Sequence, residues 1–294
     1  MTLVAPLPAV ATGKRSRLWG VPVSWHLLSL DAPTVAVLWA WSFARTAETG
    51  ASLTAIAVLG IGTWLIYVAD RLLDARSPLY VALRERHFFH ARHRAALLRT
   101  GAVAAALLFG LIGIMPTAAR EQDTVLFAAA TIYFASVHLP KVRVRRWFPR
   151  EVAAGILFAL ATAVPAWSAA PWSHLQLAGP VLLFAGLCTL NILAIESWEG
   201  DHLDSIAVPV IALGVALASI TLALLPGRRT GGETGIYAAS FLSALLLLAL
   251  DGLHRNFERR PPDSEWRARF LLALRVSADA VLLTPIFFLL PWHP

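Results

Sequence analysis

Long apolar stretches separated by short polar connections run from about residue 24 to residue 291. About twenty apolar residues make a helix that crosses the hydrocarbon core of a bilayer. Nine stretches approach that length: roughly 24–44, 51–69, 96–116, 124–140, 152–169, 175–195, 205–225, 235–253 and 271–291. Most lack the polar stripe of a helix lying on a soluble domain. The pattern predicts an all-α membrane protein over residues 23–294, with about nine transmembrane helices in one bundle around a central cavity. Residues 1–22 hold small residues and Pro but no continuous apolar run, and predict a disordered cytoplasmic tail. Pro33, Pro165, Pro180, Pro209 and Pro285 fall within or beside the stretches, where neighbouring helices satisfy the backbone groups that a kink frees.

Composition agrees with the pattern. The chain is 57% apolar with a mean hydropathy of +0.65, which excludes an ordinary soluble domain. The single cysteine, Cys188, lies in an apolar stretch and excludes an internal disulfide. Net charge is +7, and its placement orients the chain. With the N-terminus inside, the second-to-third connection holds Arg71, Arg76, Arg84, Arg86, Arg92, Arg94 and Arg99. The fourth-to-fifth holds Lys141, Arg143, Arg145, Arg146 and Arg150, and the eighth-to-ninth another arginine group. Only Arg45, Arg120, Arg228 and Arg229 fall outside. The positive-inside rule then puts the N-terminus in the cytoplasm and the C-terminus outside. The expectation is a multi-pass protein of a bacterial cytoplasmic membrane, its arginines meeting lipid headgroups and not nucleic acid.

One connection departs from this basic face. "AIESWEGDHLDS" after the sixth stretch carries Glu196, Glu199, Asp201 and Asp204 and no Lys or Arg. Acidic residues hardly affect topology, and bare carboxylates repel one another, so a divalent cation is the natural partner. A second acidic pair, Asp70 and Asp74 in "WLIYVADRLLDARS", is four residues apart and so one turn apart on a helix face. Carboxylates at membrane spans are costly and functional by default. Arg71, Arg76 and the "KVRVRR" run, with Lys141 and Arg143, stand beside them. Paired carboxylates, Mg²⁺ and arginines together describe a diphosphate site.

These motifs resemble those of the UbiA-type intramembrane prenyltransferases. "ESWEGDHLDSIAVPV" is similar to that family's second Asp-rich motif, with Glu199, Gly200 and Asp201 on its E-G-D. "VADRLLDAR" resembles the first, with Asp70 and Asp74 on its last two acids, while Ile66 and Tyr67 replace its Asn and first Asp. "LPKVRVRRWFPREVAAGILFAL" resembles the basic turn after the fourth span. The resemblance implies transfer of an isoprenyl group from its diphosphate to an aromatic or lipid-like acceptor. It implies Mg²⁺ on Asp70, Asp74, Glu196, Glu199 and Asp201, with Asp70, Asp74, Glu199 and Asp201 catalytic. Arg71, Arg76, Lys141 and Arg143 would bind the diphosphate.

Two other functions stay open at this point. His87, His90 and His93 in "RERHFFHARHR", with Glu85, have the spacing of a histidine-ligated membrane metalloenzyme of the desaturase or hydroxylase kind. The incomplete first motif fits a non-catalytic lipid- or pigment-binding protein of the same fold. Asp31, Asp251 and Asp279 lie in or near the first, eighth and ninth stretches, where each either contacts substrate or pairs with an internal cation such as Arg275.

Overall fold

A computed structural model describes residues 17–75, 85–138, 149–170, 174–200, 206–225, 231–258 and 264–289. Arg76, Lys141, Arg143, Asp201 and Asp204 lie outside the described residues. Every regular element among those described is helical. In chain order they are α1 (Arg17–Leu27), α2 (Asp31–Thr46), α3 (Leu53–Asp74), α4 (Glu85–Arg92), α5 (Arg94–Ile114) and α6 (Thr117–His138). There follow α7 (Arg150–Ala169), α8 (His174–Glu199), α9 (Ala207–Leu224), α10 (Gly231–Glu258), α11 (Ser264–Val281) and the short α12 (Ile286–Leu289).

Each of the nine apolar stretches coincides with one or two helices, but not all are alike. Among the described residues, seven spans are long and apolar enough to cross a membrane: α3, α5, α7, α8, α9, α10 and the Trp266–Leu289 segment. The first expected span is broken. Gly20–Leu27 and Asp31–Thr46 meet at 89°, and counting that pair as one span gives eight. The fourth, α6, is helical but carries Arg120, Glu121 and Asp123 in its first two turns and is not among the seven. Of the nine spans expected, the described residues supply seven, or eight with the bent pair.

Burial orders the bundle. In α8, 61% of the apolar window is buried, against 6% in α5, so α8 is the central helix and α5 lies at the edge. Trp39 of α2 stacks on Phe184 of α8 with ring centroids 4.2 Å apart, and Phe43 and Phe158 meet the same ring at 5.9 Å. Stacked rings fill this part of the interior, where the sequence pattern suggested a cavity. Gly155 lets α7 approach α8 closely: a Cβ there would lie 2.4 Å from Thr189 Oγ1 and 2.9 Å from two α8 backbone atoms. Small residues at such crossings are what membrane helices use to pack.

At the α1–α2 break Ser29 is left-handed (φ 58°) and fully buried. The break frees carbonyls that no helix satisfies, and side chains of α3 take them. Trp64 Nε1 donates to Leu28 O at 3.0 Å, and Arg71 Nη1 donates to His26 O at 2.7 Å. Non-helical backbone at membrane depth is stable only with such protein partners.

Candidate functional site

A buried ionic cluster grows from this break. Arg71, 5% exposed, reaches from α3 to donate to His26 O, to Ser29 Oγ at 2.8 Å and to Asp31 Oδ2 at 3.1 Å. His26 Nδ1 lies 2.9 Å from Asp31 Oδ2 and 3.1 Å from Asp279 Oδ2 of α11. Asn191 Nδ2 of α8 donates to Asp279 Oδ1 at 3.2 Å, and the Ala32 N–H donates to Asp31 Oδ1 at 3.0 Å. Because Ser29 Oγ accepts from Arg71, its hydrogen is left for His90 Nε2, 3.1 Å away. That makes His90 the Nδ1–H tautomer, which donates to Arg86 O at 2.7 Å. Six helices and the break thus converge on one polar knot.

A second group of charges lies where α3, α4, α8 and α11 come together. His87 Nε2 of α4 is 3.8 Å from Asp74 Oδ2 of α3, and the Glu199 carboxylate of α8 also acts on the His87 charge. Burial, and then the neighbouring Arg86, push the His87 ring down to about 4, so it is neutral at physiological pH. Arg275 of α11 pairs with both Glu85 (3.2 Å) and Glu199. Beside them Arg150 of α7 pairs with Glu151 (2.9 Å) and with Glu196. Asp70, Glu151 and Glu196 all lie within electrostatic reach of the Tyr133 hydroxyl.

The acids expected from sequence therefore have these places. Asp74 and Glu199 lie within electrostatic reach of His87, and Asp70 and Glu196 within reach of the Tyr133 hydroxyl. The acidic turn has no base of its own, yet Arg150 and Arg275, distant in sequence, pair with Glu196 and Glu199. Arg71 is not beside the α8 acids but in the buried cluster with Asp31. Arg275 pairs with Glu85 and Glu199, not with the three intramembrane acids the sequence suggested as its partners. Those acids find other partners: Asp251 accepts from Trp198 Nε1 at 3.1 Å and from Arg255 Nε at 2.7 Å.

The histidine triplet does not converge. His87 faces Asp74, His90 bonds Ser29, and exposed His93 bonds Phe89 O. The expected metal cluster on this stretch is corrected accordingly, since α4 ends at Arg92 and a new helix starts at Arg94. Among the described residues, the group that brings ligand atoms within 4.8 Å of one another is His26, Asp31 and Asp279. Sequence inspection did not single out His26. Its two partners carried the signal, as carboxylates in apolar stretches.

These helices and buried charges define a multi-pass helical membrane protein. No family model, no curated protein and no solved structure matches the chain.

Proposed function

We propose that this chain is an intramembrane prenyltransferase that binds an isoprenyl diphosphate where α3, α4, α8 and α11 meet. The observation that carries the reading is that Asp74 and Glu199, from two helix ends far apart in sequence, both act on His87. Asp70, Asp74, Glu196 and Glu199 offer carboxylate oxygens, the ligands a hard cation prefers, from the ends of two helices. They are not gathered within ligand distance of one another as His26, Asp31 and Asp279 are. Mg²⁺ held there, with Asp201, which follows Glu199 by two residues in sequence, would supply charge neutralisation for a departing diphosphate.

The protein's own groups have separate tasks. Arg150 and Arg275 are positioned to exchange carboxylate partners for phosphate oxygens, which guanidinium binds in the same forked geometry. The C1–O bond of the allylic diphosphate breaks with its electron pair leaving on the diphosphate. The allylic cation is then attacked by an electron-rich aromatic or lipid-like acceptor, which gives up a proton. Apolar helix walls keep water from capturing the cation first.

Purified protein should bind a panel of isoprenyl diphosphates in Mg²⁺ and release them in EDTA. Asp74→Asn and Glu199→Gln should each abolish that binding, and the double variant should be little worse, as for groups acting as one unit. Wild-type protein that binds none of the panel in Mg²⁺ refutes the reading. A second reading has its own support. The arginine pairing of Glu196 and Glu199 satisfies these acids without a metal, which suits a non-catalytic lipid- or pigment-binding protein. That reading predicts binding of undecorated isoprenoids with no effect of Mg²⁺.

A further inference from the structure

We propose that His26, Asp31 and Asp279 form a buried site for a divalent first-row transition ion of the Zn²⁺ class, separate from the α3–α8 acids. Three pieces of the chain, α1, the start of α2 and α11, each bring one ligand atom to a common point. The atoms are His26 Nδ1 and the two Oδ2 atoms, at 2.9 and 3.1 Å from the imidazole nitrogen. Ligands about 2.0–2.2 Å from a tetrahedral Zn²⁺ stand roughly 3.4 Å from one another. Replacing a shared proton by the ion therefore opens the group by only a few tenths of an ångström.

Orientation is fixed in the manner of a metal site. Each carboxylate has one oxygen tied down, Asp31 Oδ1 by the Ala32 N–H and Asp279 Oδ1 by Asn191 Nδ2. The two Oδ2 atoms are turned to His26, and Asp31 Oδ2 also accepts from Arg71 Nη2 at 3.1 Å. Outer hydrogen bonds of this kind are what hold metal ligands in place. Without an ion the two carboxylates hold a proton on Nδ1, since His26 Nε2 is buried and has no hydrogen-bond partner. A bound ion would displace that proton and take the Nδ1 lone pair.

Two further observations point to an occupant. Asn191, 8% exposed, has its Oδ1 buried without a partner while its Nδ2 is bonded to Asp279. A neutral buried oxygen on the side chain that bonds Asp279 is a candidate acceptor for a metal-bound water. The two carboxylates carry one negative charge more than Arg71 offsets, and either a proton on His26 or a bound cation in its place supplies the balance. A net charge in a buried site calls for a counter-charge. Nitrogen in the ligand set favours a transition ion over Mg²⁺, which prefers oxygen alone. The site thus differs in chemistry from the proposed diphosphate site and stands without it.

The test uses full-length protein, purified in detergent through a tag without histidine. Metal content is read by mass spectrometry, and the metal-free protein is titrated with Co²⁺ while the visible d–d bands are followed. We expect one equivalent of Zn²⁺ as purified and one of Co²⁺ on titration, neither displaced by excess Mg²⁺. Asp279→Asn should abolish the Co²⁺ spectrum. Asn191→Ala, which spares all three ligands, should weaken Co²⁺ binding about 10- to 100-fold. Glu199→Gln should leave it unchanged. Folded wild-type protein with no bound metal and no Co²⁺ bands overturns the proposal, as does a Co²⁺ spectrum that survives Asp279→Asn or is lost in Glu199→Gln.

Discussion

Replacing Arg71 by alanine would remove the cation around which the α1–α2 break is organised. Three acceptors lose a donor at once: His26 O at 2.7 Å, Ser29 Oγ at 2.8 Å and Asp31 Oδ2 at 3.1 Å. Removing one partner of a buried ion pair costs about 3–5 kcal/mol, because the other charge is left uncompensated. Loss of the bond to His26 O costs less, because that carbonyl keeps the Ser29 N–H at 3.1 Å. The two losses share one side chain and are not additive, so about 3–5 kcal/mol is the expected total. Arg71→Lys should fall between, since a lysine keeps the charge but cannot fork to three acceptors. Asp31→Ala in the Arg71→Ala background should cost less than the sum of the single changes, by about 1–3 kcal/mol. Unfolding in mixed detergent and SDS, followed by fluorescence of the chain's 11 tryptophans, measures all four proteins. An Arg71→Ala cost below about 1 kcal/mol, in the range of an exposed pair, would refute the buried-anchor role. If diphosphate binding were lost with stability intact, Arg71 would instead be the phosphate ligand the sequence suggested.

His90 is held below the ordinary histidine value by burial, against the pull of Arg86 O, and by the charge of Arg71; Asp31 acts the other way and Arg86 adds to the depression. It is neutral in the fold while the unfolded ring takes a proton below about pH 6.5. Stability should therefore be complete above that pH and fall as pH drops toward the native value. His90→Gln should flatten this limb of a melting-temperature profile, and an unchanged limb would show that His90 does not cause it. Gly155→Ala places a methyl group against the Ala185 and Thr189 backbone and should destabilise by about 1–3 kcal/mol in the same unfolding assay. Trp39→Ala removes the ring stacked on Phe184 and orphans Leu282 O, for about 3–5 kcal/mol. A reporter fused at the C-terminus should read as external, and a cytoplasmic reading would refute the orientation drawn from the arginines.

Much of the helical layout was legible because apolar run length is a direct physical requirement of the bilayer. What blurred the count was local. The 24–44 stretch reads as one apolar run, but Ser29 takes a left-handed conformation that no periodicity reveals. In α6 the apolar residues are real, yet three charges in its first two turns take it off the list of clear spans. Asp70, Asp74 and the Glu196–Glu199 pair were legible as charges at helix ends, though their cationic partners were not. Arg150 and Arg275 come from helices whose placement depends on tertiary packing. The His87/His90/His93 spacing was legible and misleading, because one helical face does not give three side chains a common destination. His26 was invisible for the opposite reason: a lone histidine in an apolar stretch acquires meaning only from Asp279, which lies 253 residues further along the chain.

The position of the buried cluster follows from the broken helix. At about 1.5 Å per residue, the 16 residues of α2 span roughly 24 Å, short of the roughly 30 Å hydrocarbon core. The chain therefore turns through 89° inside or at the edge of the membrane, where bare carbonyls and N–H groups cannot be left to lipid. Arg71 and Trp64 cap the carbonyls on one side of the turn. Asp31, in the first turn of α2, sits at the positive end of that helix dipole and binds the guanidinium. One carboxylate and one guanidinium would close this account with zero net charge. Asp279 and His26 are extra to it, since neither group is needed to satisfy the broken backbone. A second carboxylate brought from α11 against an otherwise neutral pair costs stability unless something positive joins it. A protonated His26 supplies that charge in the metal-free fold, and the ion proposed above would take the place of its proton, next to an Asn191 Oδ1 that no helix cap requires.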